Sequence, residues 1–204
     1  MSPIKRIVRR VRFFRYCAMA HAQSVRKRQR EARWAYIQSV LATVGNITIA
    51  WAGIERMLDE LIAWYQHQAT ALESNHPRNL SDKIKYLHAM QKDERFKLEI
   101  RGFLRTARIN TKRLGDERHN LIHGLLHLES GLALTWRTQR VIIKGPNARL
   151  EHRTYTNGDL QRISSEISCL GGYLSPRVWA IIGGDPSLMP AQPLADAKCE
   201  LGLS

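Results

Sequence analysis

The feature that most limits what this chain can fold into is the segment from Trp34 to Ile54, which carries no charged residue over 21 positions. A helix of that length could cross a bilayer, and the basic sequence RKRQREAR before it fits a positive-inside flank. Polar residues and a glycine interrupt the segment, however: Gln38, Ser39, Thr43, Gly45, Asn46 and Thr48. We therefore predict a core helix covered by other helices, with a membrane-associated protein anchored by residues 34–54 as the alternative.

Apolar residues recur at the helical period of about 3.6 residues along most of the chain that follows. They predict four helical segments: a first core helix over about 40–70, a second from a cap at Ser81 or Asp82 through Met90, a third from near Asp93 to about His127, and a last one that opens at Thr156–Asp159 and ends at Gly171–Gly172. A short apolar segment, Val178 to Ile182, is expected to pack back on them.

The period changes after Glu129. Leu132, Leu134 and Trp136 alternate with less apolar residues, and a turn signal at 145–147 separates two β-prone runs. We predict a β-hairpin over about 131–155. The fold class is therefore mainly α, a helical bundle over residues 35–182 with a small β-hairpin before the last helix. Residues 183–204, rich in Pro, Gly and Ala, are expected to form a flexible tail.

The charge of the chain is concentrated at its start. The first 34 residues hold eleven Lys or Arg and one acidic residue, so they carry +10 of the net +14 and leave +4 for the rest. A basic arm of this kind favours a polyanionic partner. We predict RNA contacts from Arg9, Arg10, Arg12, Arg15, Arg26, Lys27, Arg28 and Arg30. The arm could form an amphipathic helix against a partner or be a partly disordered tail, and it could equally bind nucleic acid nonspecifically, a ribosome or anionic lipid.

Cysteine usage and the first residues bear on the compartment. The three cysteines are widely spaced and form no CxxC pair, which indicates reduced thiols and neither a disulfide framework nor a structural zinc site. No apolar stretch with a small-residue cleavage site directly follows the charged start, which argues against export. A cytoplasmic location is expected.

The stretch ERHNLIHG, residues 117–124, concentrates groups that can do chemistry. Five steps along an α-helix turn the direction by about 140° and rise about 7.5 Å, so Arg118 and His123 do not share one stripe. Side chains meant to touch within one helix would be three or four positions apart. If these two residues act together, the helix must bend or a second copy must contribute, and a symmetric dimer through this helix would supply that copy.

R-H-N-L-I-H resembles the motif of the HEPN superfamily (higher eukaryotes and prokaryotes nucleotide-binding domain), in which an arginine precedes a histidine by four to six residues. The position after the arginine is typically polar, most often Asn. Here His119 occupies it and Asn120 follows. WAGIERMLDELI resembles the first long helix of that family, and Glu55 matches its recurrent acidic position. The resemblance covers roughly residues 40–128.

Many HEPN proteins are metal-independent endoribonucleases that act as dimers, so the resemblance implies that activity, without a cofactor. His123 would transfer the proton of the RNA 2′-hydroxyl, and Arg118 would stabilise charge on the phosphate. Asn120 could orient the scissile group, and Glu55 could hold Arg118 or His123 in place. The products would carry a 2′,3′-cyclic phosphate and a 5′-hydroxyl. A toxin or phage-defence role and an antitoxin partner would fit, as for many relatives.

Simpler interpretations remain for each of these residues. Arg118 could be a solvated residue beside Glu117, His123 an interface histidine, and Glu55 part of a charged helix end. His119, His123 and His127 are spaced four apart, but the outer two are about 12 Å apart along a straight helix, which disfavours one metal ion. The alternative function is a non-catalytic nucleic-acid-binding or regulatory module.

Overall fold

A computed structural model describes the backbone of residues 3–68, 76–123, 125–129, 135–144 and 147–184. Within these ranges the side chains of residues 3–18, 123, 125–129, 136, 140–144 and 147–148 are not described. The elements in chain order are α1 (Pro3–Gln68), α2 (Leu80–Lys92), α3 (Leu98–His123), β1 (Leu125–Glu129), β2 (Thr135–Lys144), β3 (Asn147–Tyr155) and α4 (Asn157–Ile182). The protein is thus mainly α with a small antiparallel sheet before the last helix, as predicted.

The chain divides into two compact units, residues 1–42 and 43–204. In the first unit the basic arm is helical from Pro3 onward, one of the two forms considered for it. The side chains of Arg26, Lys27, Arg28 and Arg30 are exposed, and only Lys27 forms an ion pair there, 3.9 Å from Glu31, among the described residues. Predicted contacts at Arg9, Arg10, Arg12 and Arg15 lie outside the described side chains.

The second unit is a helical bundle whose centre is the later part of α1. Ile47, Trp51, Ile54, Leu58 and Ile62 are almost fully buried, which confirms that the apolar residues of the predicted first core helix share one buried face. The other helices of the bundle pack around this part of α1, and contacts at its two ends fix the direction of α3.

α3 runs antiparallel to α1. The Trp51 ring lies against Gly115 near one end of the pair, and the rings of Tyr65 and Phe96 are 5.8 Å apart at the other. α2 runs antiparallel to α3 as well, because Leu80 also lies against Gly115 while Arg108 Nε donates to Gln91 Oε1 at 3.2 Å. Residues of three helices therefore meet at this glycine.

α4 closes the bundle parallel to α1. Gln161 Nε2 donates to Thr43 Oγ1 at 2.9 Å, and Gly171 lies against Ile54 farther along both helices. A capping box starts α4: Asp159 N–H donates to Thr156 Oγ1, and the Asp159 carboxylate accepts from the Thr156 backbone N–H. This start was predicted.

The sheet is a three-stranded antiparallel meander in the order β1-β2-β3. The predicted hairpin is confirmed, with Trp136 opposite Tyr155 and Lys144 opposite Asn147. Its turn at 145–146 and the predicted strand start at 130–134 lie outside the described residues. β1 was not predicted: the pattern had extended α3 to about His127, but the helix ends at His123 and Leu125–Glu129 pairs with β2. Pairing with a distant strand overrides the local helical period there.

Three other helix boundaries differ from the prediction. α2 is capped by Asn79, whose side chain accepts from Asp82 N–H at 2.9 Å, rather than by Ser81 or Asp82. α3 begins at Leu98, not Asp93. α4 continues through Gly171 and Gly172 to Ile182 instead of ending there, because Leu170, Leu174 and Val178 are buried on one face and that packing outweighs the low helix propensity of glycine. The predicted tail lies outside the described residues from position 185.

Among the residues that the structure describes, one helix is long and apolar enough to cross a membrane by length and composition. It is Met19–Gln68 of α1, whose most apolar window has a mean hydropathy of 1.4 and is 28% buried. Core helices of soluble proteins meet the same criterion, and Trp51 and Ile54 on this helix pack against α3 and α4. That the chain stays out of the membrane remains a prediction.

The close approach at Gly115 generates a stability prediction. A Cβ added there would overlap the Leu80 side chain and lie 3.2 Å from the Trp51 ring, whereas a Cβ at the exposed Gly102 of the same helix would meet nothing within 4 Å. Both Gly→Ala changes gain helix propensity, so that gain cancels in the comparison. We expect Gly115→Ala to be less stable than Gly102→Ala by about 1–3 kcal/mol from overpacking.

Urea unfolding of the two variants, followed by circular dichroism, measures this difference. Gly102→Ala should be at least as stable as the unmodified protein. Equal midpoints for the two variants would show that Leu80 and Trp51 give way at no cost.

Candidate functional site

Arg118 lies on the side of α3 that faces the bundle. Counting back by helical turns from Arg118 reaches Leu114, Thr111 and Ala107, each at most 1% exposed. The Arg118 side chain is half-buried, and its Nε is buried without a hydrogen-bond partner among the described residues. A guanidinium partly removed from water normally has its donors paired, so this arginine has unused capacity for an anion.

The other motif residues occupy different environments. His119 is exposed, whereas Asn120 is 3% exposed and faces the interior. The backbone of His123 forms the last residue of α3, and its side chain lies outside the described ones. Arg118, His119 and Asn120 are consecutive residues of α3, and they face three different directions around its axis. The structure does not show them converging on a single cleft.

Glu55 is hydrogen-bonded to a neighbour in its own helix. Its Oε1 accepts a hydrogen bond of 2.8 Å from Trp51 Nε1, and the indole in turn lies against Gly115. Glu55 therefore orients the tryptophan that packs beside α3, one helical turn from Arg118. This contact supports the structural interpretation of Glu55 that the sequence left beside the catalytic one.

Glu117, the residue before Arg118, joins α3 to the sheet rather than to Arg118. Its carboxylate accepts from Arg153 Nη1 at 3.2 Å and from Tyr155 Oη at 3.1 Å, and Arg153 Nε also donates to Glu151 at 3.1 Å. Burial and the nearby Glu117 charge raise the pKa of Tyr155 to about 12. Burial alone would lower the pKa of Arg153, but its bond to Glu151 and the Glu117 charge raise it overall.

A shallow polar cavity of about 310 Å³ opens beside this cluster. Its lining residues come from α3, β3 and the start of α4: Glu117, Arg153, Thr154, Tyr155, Asp159 and Arg162. Arg162 also bonds Glu166 at 3.0 Å, and Glu166 accepts from Arg113 at 2.6 Å. Although burial raises the pKa of Glu166, the two arginines lower it overall. The cations of this cavity are therefore already matched by carboxylates.

A second cavity of about 390 Å³ lies at the start of α2. Its lining includes His76, Arg78, Lys85 and Tyr86. Beneath it Asp59 of α1 accepts from the buried Lys83 at 2.7 Å and lies 3.0 Å from His76 Nε2. This cluster ties the chain before α2 to α1, and the buried lysine is neutralised by its carboxylate.

Neither polar cluster was predicted from the sequence. Glu117 and Tyr155 are 38 positions apart, and Asp59 and Lys83 belong to different helices, so no spacing rule connects them. The one available signal for Glu117 was its place at the edge of the buried face of α3, where a charged side chain needs a partner.

Comparison with family models, curated proteins and solved structures finds no match. Among the side chains that the structure describes, no group of three or more His, Cys, Asp and Glu could hold a metal ion. The side chains of His123 and His127, two members of the histidine series considered for a metal, lie outside them.

The raised pKa of Tyr155 gives a pH prediction. Tyrosine in an unfolded chain ionises near pH 10, whereas Tyr155 in the folded protein does so at about 12, so the unfolded state binds fewer protons between these values. The contribution of Tyr155 to the free energy of unfolding is therefore complete below pH 10 and is lost as the pH rises toward 12. Glu117→Gln should lower the Tyr155 pKa, because it removes the nearby negative charge.

The ultraviolet absorbance of tyrosinate measures this titration, and the difference between the protein and Tyr155→Phe isolates Tyr155. An identical difference titration in Glu117→Gln would show that burial alone sets the shift. Arg149→Gln, at an exposed position of β3, is the control for a distant change of one charge.

Proposed function

We propose that the protein is a metal-independent endoribonuclease that acts as a homodimer. The observation that carries this proposal is Arg118: a half-buried arginine on the bundle-facing side of α3 whose Nε has no hydrogen-bond partner among the described residues. A scissile phosphate would supply the anionic oxygens that this guanidinium lacks. The resemblance of R-H-N-L-I-H to the HEPN motif supports the same role.

In the proposed reaction the 2′-hydroxyl of one nucleotide attacks the adjacent phosphorus. His123 takes or delivers the proton, the bond to the 5′-oxygen of the next nucleotide breaks, and the products carry a 2′,3′-cyclic phosphate and a 5′-hydroxyl. Arg118 stabilises the negative charge that builds on the phosphoryl oxygens. The chain's own groups thus supply acid–base and electrostatic catalysis without a redox or metal step.

The need for a second copy follows from helix geometry. Positions 118 and 123 of α3 are about 140° apart around the axis, so the two residues of one helix point away from each other. A two-fold dimer along the ends of α3 would place Arg118 of one protomer beside His123 of the other. In this arrangement the half-buried Arg118 would gain its partners at the dimer seam.

The second candidate is a non-catalytic RNA-binding module. It is favoured by the burial of Asn120 and by the bond between Glu55 and Trp51, since both features suit residues that support the fold. The exposed Arg26, Lys27, Arg28 and Arg30 of α1 would serve RNA binding in either case. A cytoplasmic location and control by an antitoxin are further expectations of the proposal.

Cleavage of RNA in excess EDTA tests the enzymatic proposal. We expect the unmodified protein to generate 2′,3′-cyclic phosphate ends, His123→Ala to lower the rate by about 10²–10⁴-fold, and Arg118→Ala by about 10²–10³-fold. End-group analysis and single-turnover kinetics are the measurements. Matched controls are His152→Ala and Arg149→Ala, both at exposed positions of β3, which should cut at the original rate.

Circular dichroism must show that each variant keeps its helix content. RNA binding without cutting by the unmodified protein would favour the binding module. Cutting that survives both His123→Ala and Arg118→Ala would place any nuclease activity elsewhere, or in a contaminant.

A further inference from the structure

Five cationic residues follow one side of α3, starting at the position just before the helix. They are Lys97, Arg101, Arg105, Arg108 and Lys112, and we name them the α3 basic stripe. Lys97 directly precedes the helix, and its carbonyl accepts the backbone N–H of Arg101 at 3.1 Å. At about 100° per residue the five positions fall within an arc of about 80°, and they extend about 22 Å along the axis.

Within the part of the chain that the structure describes, no carboxylate neutralises the stripe. Between Lys97 and Lys112 that side of α3 holds no acidic residue, and none of the five cations forms an ion pair among the described residues. Among the described residues, Arg108 is hydrogen-bonded only to the neutral Gln91, and Arg101 Nε is buried without a hydrogen-bond partner.

A different arginine of the same helix shows the contrast. Arg113 lies outside the stripe, on the side toward α4, and is matched by Glu166 at 2.6 Å. The stripe cation Arg108, which contacts α2, is bonded there to the neutral Gln91 instead of a carboxylate.

Such an arrangement disfavours a merely solvated surface. Cations three or four positions apart on a helix repel each other, and an exposed helix face usually relieves this with acidic residues at those spacings. In the α3 basic stripe, four successive pairs of cations are three or four positions apart, so each pair repels. A row of unpaired cations is complementary to a polyanion, and arginine in particular forms forked bonds with phosphate oxygens.

We propose that the α3 basic stripe binds the sugar–phosphate backbone of an RNA strand. This proposal rests on the proposed function in taking RNA as the substrate, but it concerns binding and not cleavage. RNA fits better than an anionic membrane, because the stripe is mainly arginine, whose planar guanidinium suits nucleic-acid recognition.

Salt-dependent binding to a short single-stranded RNA with methylated 2′-hydroxyls tests the stripe, since that RNA cannot be cleaved by attack of the 2′-oxygen. Arg105→Gln and Lys112→Gln are chosen because both side chains are exposed and make no hydrogen bond or ion pair among the described residues. The double variant should lower the slope of log K against log salt by about 1.4, or about 0.7 for each phosphate that is no longer neutralised. Its affinity at low salt should fall by about tenfold or more.

Two controls separate position from charge. The charge-conserving double variant Arg105→Lys with Lys112→Arg should bind with the original slope. Arg149→Gln removes one exposed cation from β3 and should change the slope by less than either single stripe variant. A slope in the Arg105→Gln, Lys112→Gln double variant equal to that of the unmodified protein would overturn the proposal. Loss of binding to phosphatidylserine vesicles with RNA binding unchanged would overturn it in favour of a membrane surface.

Cleavage kinetics distinguish this inference from the proposed function. If both hold, the stripe variants should raise KM for RNA with kcat nearly unchanged, because the stripe binds substrate and transition state alike. If the protein binds but never cuts RNA, the stripe can still be confirmed by the salt slope while the nuclease proposal fails. If Arg118→Ala abolishes cutting and the stripe variants leave KM unchanged, the reverse holds.

Discussion

The packing of Trp51 against Gly115 is the contact on which the bundle depends. The indole is 1% exposed, lies where α1, α2 and α3 meet, and is held by a hydrogen bond to Glu55. Only glycine leaves space for the ring and for Leu80 at that point of α3. The indole thereby sets the position of the next turn of α3, which carries Arg118. It does so through its apolar contact with Gly115 and its hydrogen bond to the charged Glu55. Glu55, which the resemblance matches to a recurrent acidic position, is bonded to this indole in the structure.

The charged residues of α3 are paired on one side of the helix and unpaired on others, among the described residues. Toward the sheet and α4 the charges are paired, as in Glu117 with Arg153 and Glu166 with Arg113. These pairs fix the elements to each other, and their cost of desolvation is met by hydrogen bonds. Arg118, on the side toward the bundle, has a buried Nε without a hydrogen-bond partner among the described residues. The same is true of Arg101 in the α3 basic stripe. The functional proposals rest on this asymmetry between paired and unpaired cations of α3.

The helical spacing of apolar residues predicted the elements that bury a continuous face. It failed where contacts between residues distant in sequence determine the structure. The helical spacing of apolar residues from Ile47 to Ile62 and the start of the last helix at Thr156–Asp159 are local patterns, so both were predicted. β1 was missed because its hydrogen bonds are made with β2, and the continuation of α4 through Gly171 was missed because packing of its buried face offsets glycine's low propensity. The motif residues could be named from the sequence, but the inward direction of Asn120 depends on how α3 is rotated in the bundle.

The hydrogen bond between Thr43 and Gln161 joins residues 118 positions apart, and it has a consequence for synthesis of the chain. The apolar face of α1 leaves the ribosome early, while α4, which covers part of it, is among the later elements. Roughly 100 residues separate the two, which at about 5–20 residues per second corresponds to roughly 5–20 s of translation. During that interval the part of the apolar face of α1 that α4 later covers stays uncovered, directly after the basic segment of the same helix.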